Sequence, residues 1–155
     1  PLEPELEPYR IQINPIYMHD VMAYASLYIG DSQTMAMEAA VLGVPAIRFN
    51  DFVGKIGVMA ELEDGELNGK QVPCYNLGIG ILASEKDAVE HLCNTVQEIM
   101  AIQPAKRKEL WQARRQKMLA EKIDYAKFLT WFIENYPSSA EQTQKADVAF
   151  WDKFK

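Results

Sequence analysis

The sequence is poor in the residues and patterns that announce most functions. No apolar run approaches the ~18 residues that a membrane-crossing helix needs. It has two cysteines, Cys74 and Cys93, with no CxxC spacing. A disulfide framework is therefore excluded. Only His19 and His91 are available to join them, and no zinc-ligand spacing results. Basic residues number 16 against 22 acidic ones, a net charge of −6. That balance argues against general binding to nucleic acid or anionic membrane. The start, PLEPELEPYR, has neither the basic stretch nor the apolar core of a secretory leader. A cytoplasmic location is the expectation.

What remains is ordinary globular material. The chain is 155 residues long and 48% hydrophobic, which suits one domain with a sizeable core. Pro1, Pro4 and Pro8 predict no regular structure before about Tyr9. Residues 10–14 (RIQIN) alternate and predict a strand stopped by Pro15. Residues 16–25 carry apolar positions at helical spacing. Residues 27–30 (LYIG) predict a short buried strand. Residues 32–43 are rich in Ala, Met and Leu and predict a helix with Gly43 as its C-cap. Residues 45–50 predict the next strand, and 56–63 a helix. Asp64-Gly65 and Asn68-Gly69 mark turns in an exposed loop. Residues 77–83 predict another strand. Ser84 followed by Asp87 resembles a capping box opening a helix that runs to residue 101. From Pro104, helical periodicity continues to about residue 135, long enough that a kink or break is expected. The polar tail ends in FWDKF, whose aromatics are placed to dock the terminus.

Strands alternating with helices imply an α/β fold: a Rossmann-like αβα arrangement with a mostly parallel sheet of about four strands. We divide the chain into a nucleotide-binding unit over 1–103 and a helical C-terminal extension over 104–155 that packs on it. Ligands of such sheets sit beyond the carboxyl ends of the strands.

Residues 30–38 lie at such a place. A strand ends, the chain turns through Gly30-Asp31-Ser32, and a helix begins. Its free N–H groups and positive dipole end suit a phosphate. Ser32 and Thr34 offer hydroxyls, and Gly30 permits close backbone approach. Glu38, four residues after Thr34, falls on the same helix face. Its carboxylate suits a pair of vicinal hydroxyls, as on a ribose. The simpler alternative is that Asp31 or Ser32 caps the helix and Glu38 is solvated. Neither a Walker sequence nor GxGxxG is present.

The stretch DVMAYASLYIGDSQTMAMEAAVLGVPAIRFN, residues 20–50, resembles the C-terminal half of GT-B-fold nucleotide-sugar proteins. It is most similar to the UDP-GlcNAc 2-epimerase-like group and its uncharacterised bacterial and archaeal relatives. The likeness rests on a helix leading to a strand and small turn, then Glu38-Ala39-Ala40, then Leu42-Gly43-Val44-Pro45 and a strand. KIDYAKFLTWFIENYP resembles the same family's C-terminal end. The resemblance implies that the turn binds the diphosphate of a UDP-sugar through Ser32, Gln33 and Thr34. It implies that Glu38 binds the ribose, and that backbone near residues 10–14 holds the base. The epimerases have Ser-Gly-Gly where this chain has Ser-Gln-Thr, so backbone access is narrower here. GT-B ligands lie in a cleft between two halves. The N-terminal half and the first two strands of this half have no counterpart in the sequence. The expectation is a C-terminal fragment of a longer protein, whose open sheet edges are covered by rearrangement or by a homodimer.

Other candidates are fewer. Arg48 and Lys55 flank FNDFVG at a strand end and suit a phosphate or sugar acid, with Asp51 as acceptor for a sugar hydroxyl. His19, at the start of a helix, suits general acid–base work. His91 reads as a helix-surface residue. Lys106, Arg107, Lys108, Arg114 and Arg115 read as a solvated basic face, without the aromatic interleaving of a nucleic-acid surface. Trp111, Trp131, Phe132 and Tyr136 read as packing residues, with an exposed aromatic patch left on the terminal helix. The acidic run 61–66 reads as solvated. Two functions follow. One is the nucleotide-sugar-binding half of a glycosyltransferase or epimerase, inactive alone and using no further cofactor or metal. The other is a non-catalytic association module with the helical C-terminus as its partner surface. A receiver domain is excluded by the absence of a strand-end acidic cluster.

Overall fold

The computed structural model describes residues 3–155; Pro1 lies outside them. In chain order the elements are α1 (Met18–Ala23), β1 (Tyr28–Gly30), α2 (Gln33–Leu42), β2 (Ala46–Asn50), α3 (Gly57–Leu62), β3 (Glu66–Leu67), β4 (Lys70–Gln71), β5 (Gly78–Leu82), α4 (Ala88–Ala101), α5 (Pro104–Glu121), α6 (Tyr125–Glu134), α7 (Ser138–Gln144) and α8 (Val148–Asp152). The fold is α/β. Its main sheet is parallel, in the order β1-β2-β5, with Ile29 opposite Ile47 and Ile47 opposite Ile79. β3 and β4 form a separate antiparallel hairpin.

The sheet has three strands rather than the expected four. Residues 10–14 join no strand and lie between two 3-10 turns, Glu7–Tyr9 and Pro15–Tyr17, each with a proline in its first turn. The first of these turns also places helical structure inside the stretch that prolines were expected to leave irregular. Alternation alone does not make a strand: residues 10–14 pair with neither edge of the sheet, and Ile11 stays 74% exposed. The start of α4 at Ala88 also involves a contact from elsewhere in the chain. The Ser84 amide donates to the Asp51 carboxylate, so Ser84 is held to the β2 loop and does not cap the helix.

The core lies on β2 and the helices around it. Ile47, Leu77 and Ile81 are buried with Ala39 and Ala40 of α2, and with Ile99 of α4. Small residues let α2 sit close on β1 and β2. Gly43 ends α2 in the left-handed conformation, φ 77°, as its C-cap position predicts. α5 belongs to the same core: Trp111 and Met118 are buried in it, and the Trp111 indole donates to the Leu77 carbonyl at 2.9 Å. Gln112 and Arg115 donate to carbonyls at the end of α2. The long C-terminal helix does break. α5 stops at Glu121, and the Asp124 carboxylate accepts from the Lys127 amide to start α6. The tail docks on α6 through rings: Phe128 meets Phe154 edge-on at 5.2 Å, and the Asp124 amide donates to the Phe154 carbonyl. Among the described residues no helix is long and apolar enough to cross a membrane.

Candidate functional site

The turn between β1 and α2 forms at the carboxyl end of β1. Ser32 is the N-cap in extended conformation, and its hydroxyl accepts from the Met35 amide at 3.3 Å. The Ala36 amide reaches the Ser32 carbonyl. Gln33 and Thr34 occupy the first turn, where amides have no intrahelical acceptor. Thr34 is exposed, while Ser32 and Gln33 are half-buried. Gly30 has a different reason from the one expected: a Cβ there would meet the Tyr28 hydroxyl. The Tyr28 ring folds back along its own strand, with the hydroxyl 3.5 Å from the Ser32 carbonyl. Burial, with the nearby Asp31 carboxylate, pushes that phenol above its ordinary value.

Glu38 follows on the same helix. Its carboxylate is 31% exposed and lies 3.2 Å from His19 Nε2, which projects from α1. Two candidates from separate segments are thereby brought together. The pairing is the side-by-side packing of α1 and α2, anchored by Met22, which is buried.

The β2 candidates go elsewhere. Arg48 was expected at the ligand, but it is 1% exposed. Its Nε and Nη2 donate to the two oxygens of Glu63, each at 2.8 Å, and its Nη1 donates to Asn50 Oδ1 at 2.8 Å. β2 is the central strand and is buried on both faces from Ala46 to Arg48, so Arg48 lies inside, and Glu63 meets it there. Glu63, from the acidic run read as solvated, is 2% exposed. Burial outweighs the pull of the Arg48 guanidinium and leaves its carboxyl above the usual range. Only glycine at position 80 leaves room for it, since a Cβ there would lie 2.6 Å from Glu63 Oε2. Asp51 accepts from the Ser84 amide, and Lys55 donates to the Asp51 carbonyl at 2.8 Å. Both exposed side chains tie the loop after β2 to itself and to the end of β5.

Asn50 and Glu63 are the residues that sequence reading missed. Asn50 Nδ2 donates to the Asp31 carbonyl at 2.8 Å, linking the end of β2 to the turn that follows β1. A polar residue closing a strand is a weak signal, and Glu63 carries none that separates it from its acidic neighbours.

A cavity of about 230 Å³ opens at the carboxyl end of β5, lined by Gly54, Asp64, Glu66, Glu85 and His91 among others. Its lining does not include Ser32, Thr34 or Glu38. Among the described residues no group of three His, Cys, Asp or Glu side chains is placed to hold a metal ion. No family model, curated protein or solved structure matches the chain.

Proposed function

We propose that the chain binds a nucleotide-sugar, as the UDP-sugar-binding part of a GT-B-like glycosyltransferase or sugar-nucleotide epimerase. The observation that carries this is the start of α2 at the carboxyl end of a parallel strand, with Glu38 half-exposed on the first turns. In this reading the amides of Gln33 and Thr34, with the Thr34 hydroxyl, take the diphosphate. Ser32 contributes mainly as the cap that fixes those amides. The ribose hydroxyls donate to Glu38, in competition with His19. No arginine clamps the phosphates, because Arg48 is engaged with Glu63. The catalytic base belongs to a partner half, so this chain alone gives no turnover. Thermal shift with UDP and UDP-sugars tests the reading. At ten times Kd the bound state gains ~1.4 kcal/mol, a rise of a few degrees. Glu38→Ala should reduce that rise. A folded sample with no shift at millimolar UDP rejects the reading.

A second reading, an association module, is favoured by one specific feature. Tyr125, Leu129 and Ile133 recur every four residues on α6 and are 64%, 41% and 65% exposed. That spacing makes a single apolar stripe. Light scattering across concentration distinguishes the readings: association at micromolar protein, unaltered by Glu38→Ala, supports the module.

A further inference from the structure

We infer that Asn50 is the positioning residue of the β1–α2 turn, and that the buried Arg48–Glu63 pair sets the direction in which Asn50 works. As a statement about ligand binding, this rests on the reading of that turn as the nucleotide site. As a statement about the turn, it stands on geometry alone.

The amide oxygen and nitrogen of Asn50 are distinguished only by their partners. Two donors converge on Oδ1: Arg48 Nη1 at 2.8 Å and the Phe52 amide at 2.9 Å. A donor facing either of them would be left opposed, so the oxygen must occupy that side. The NH₂ group is then aimed at the Asp31 carbonyl, which it meets at 2.8 Å. Arg48 is itself unable to turn away. Its other two nitrogens are engaged by both oxygens of Glu63 in a buried fork, and such paired geometry is rigid. Glu63 in turn sits in the space left by Gly80. A chain of contacts thus runs from the interior of β5 through Glu63, Arg48 and Asn50 to the backbone immediately before Ser32. Arg48, expected to touch ligand, acts on the site from behind.

The peptide that carries the Asp31 carbonyl leads into Ser32. Holding it fixes the approach of the N-cap, and with it the Ser32 bonds to Met35 and Ala36. The amides of Gln33 and Thr34, which have no intrahelical acceptor, lie between those bonds, so their direction follows from the same tether. A site that binds an anion through backbone amides depends on that direction more than on any side chain.

Asn50→Asp tests this. Aspartate retains acceptors for Arg48 and for the Phe52 amide, but it replaces the donor to Asp31 with an acceptor and adds a negative charge. The expected result is amide exchange at Met35 and Ala36 faster by about tenfold, the weight of one hydrogen bond, with exchange at Leu77 and Ile81 unchanged. UDP affinity should fall by a similar factor. Asn50→Ala, which adds no charge, should lower it too and so separates the lost tether from repulsion of the anion. Unchanged exchange at Met35 and Ala36 in folded Asn50→Asp overturns the inference, whether or not UDP binds. Wild-type chain that binds no UDP, while the variant's exchange rises as expected, rejects the nucleotide reading and leaves the positioning role standing. Should neither variant fold, the wild-type chain decides: a through-hydrogen-bond NMR coupling from Asn50 Nδ2 to the Asp31 carbonyl carbon supports the tether, and its absence overturns it.

Discussion

Ile29 and Ile47 are neighbours on the same face of the same sheet, paired in register, yet they live in different environments. Ile47 is fully buried and Ile29 is 47% exposed. The difference runs through the whole molecule. From β2 to β5 the structure is closed: apolar side chains interlock, and among the described residues the buried Arg48–Glu63 pair leaves no side-chain nitrogen or oxygen without a partner. From Leu6 to Ile29 most large apolar side chains face outward, with Tyr9, Ile11, Ile16 and Tyr24 each at least 74% exposed, while Met22 is buried and Leu27 and Tyr28 pack on the core. β1 is an edge strand only three residues long. An edge with free backbone groups beside unburied apolar residues is what proteins ordinarily cover or blunt. Both β1 and β5 are edge strands, so the contrast lies in burial: apolar side chains are covered around β2 and β5 and left open around β1, which is also the side that carries the candidate site.

The sharpest way to break the closed region is Arg48→Ala. It leaves the Glu63 carboxylate buried and unpaired, which should cost about 3–5 kcal/mol in urea unfolding. Replacing both partners, Arg48→Met with Glu63→Leu, removes the orphaned charge along with the pair. It should recover most of that loss in global stability. It should not fully restore the Asn50 tether, because one of its two orienting donors is gone and only the Phe52 amide remains. A double variant as unstable as Arg48→Ala would mean that the pair is not isolated from water as its 1% and 3% side-chain exposures indicate.

The paired isoleucines give the next largest effect, and the most direct one on the comparison. Ile47→Ala should cost about 2–5 kcal/mol, the usual range for a packed core position. Ile29→Ala should cost less than ~1 kcal/mol, because half of that side chain is already in water. Urea midpoints of the two variants, measured at low and high protein concentration, decide the matter. Equal losses would show that the outer part of β1 is covered in solution. A loss at Ile29 that grows with protein concentration would assign the cover to a second copy.

Legibility followed the range of the interactions. Residues 27–50 were readable because strand, turn, helix and C-cap are each specified within a few residues, and Gly43 adopts the conformation its position demands. The break after Glu121 was foreseen in kind, and its cause, the Asp124 cap, is local as well. The errors share a non-local cause. Residues 10–14 alternate like a strand, but whether they pair with a sheet edge is decided by packing elsewhere, and they join neither β1 nor β5. Ser84 looks like a cap until Asp51, 33 positions earlier, takes its amide. Glu63 sits among acidic residues, and nothing in its neighbourhood records an arginine 15 positions away. For the site, the helix start and Glu38 were legible. The contact of His19 with Glu38 and the tether of Asn50 required the packing of separate elements.

The smallest effect concerns the surface counterpart of the buried pair. Lys122 and Glu61 also form an ion pair, but their side chains are 50% and 45% exposed, and the ammonium also lies over the Tyr75 ring. Solvent screens such a pair, so Lys122→Met should cost less than ~1 kcal/mol at neutral pH, and less again in high salt. The pH dependence has a definite sign. Its bond to Glu61 raises the Lys122 ammonium above its ordinary value of 10.5. A cation with a raised folded value stabilises fully below the unfolded value and loses that contribution as pH rises through the folded one. The difference between wild type and Lys122→Met should therefore be constant from neutral pH to about 10.5 and fade only above it. Should Lys122→Met instead cost as much as Arg48→Ala, exposure would not be what separates the two pairs. The distinction between a closed interior and a screened surface would then have to be drawn on other grounds, such as the fork geometry that arginine has and lysine lacks.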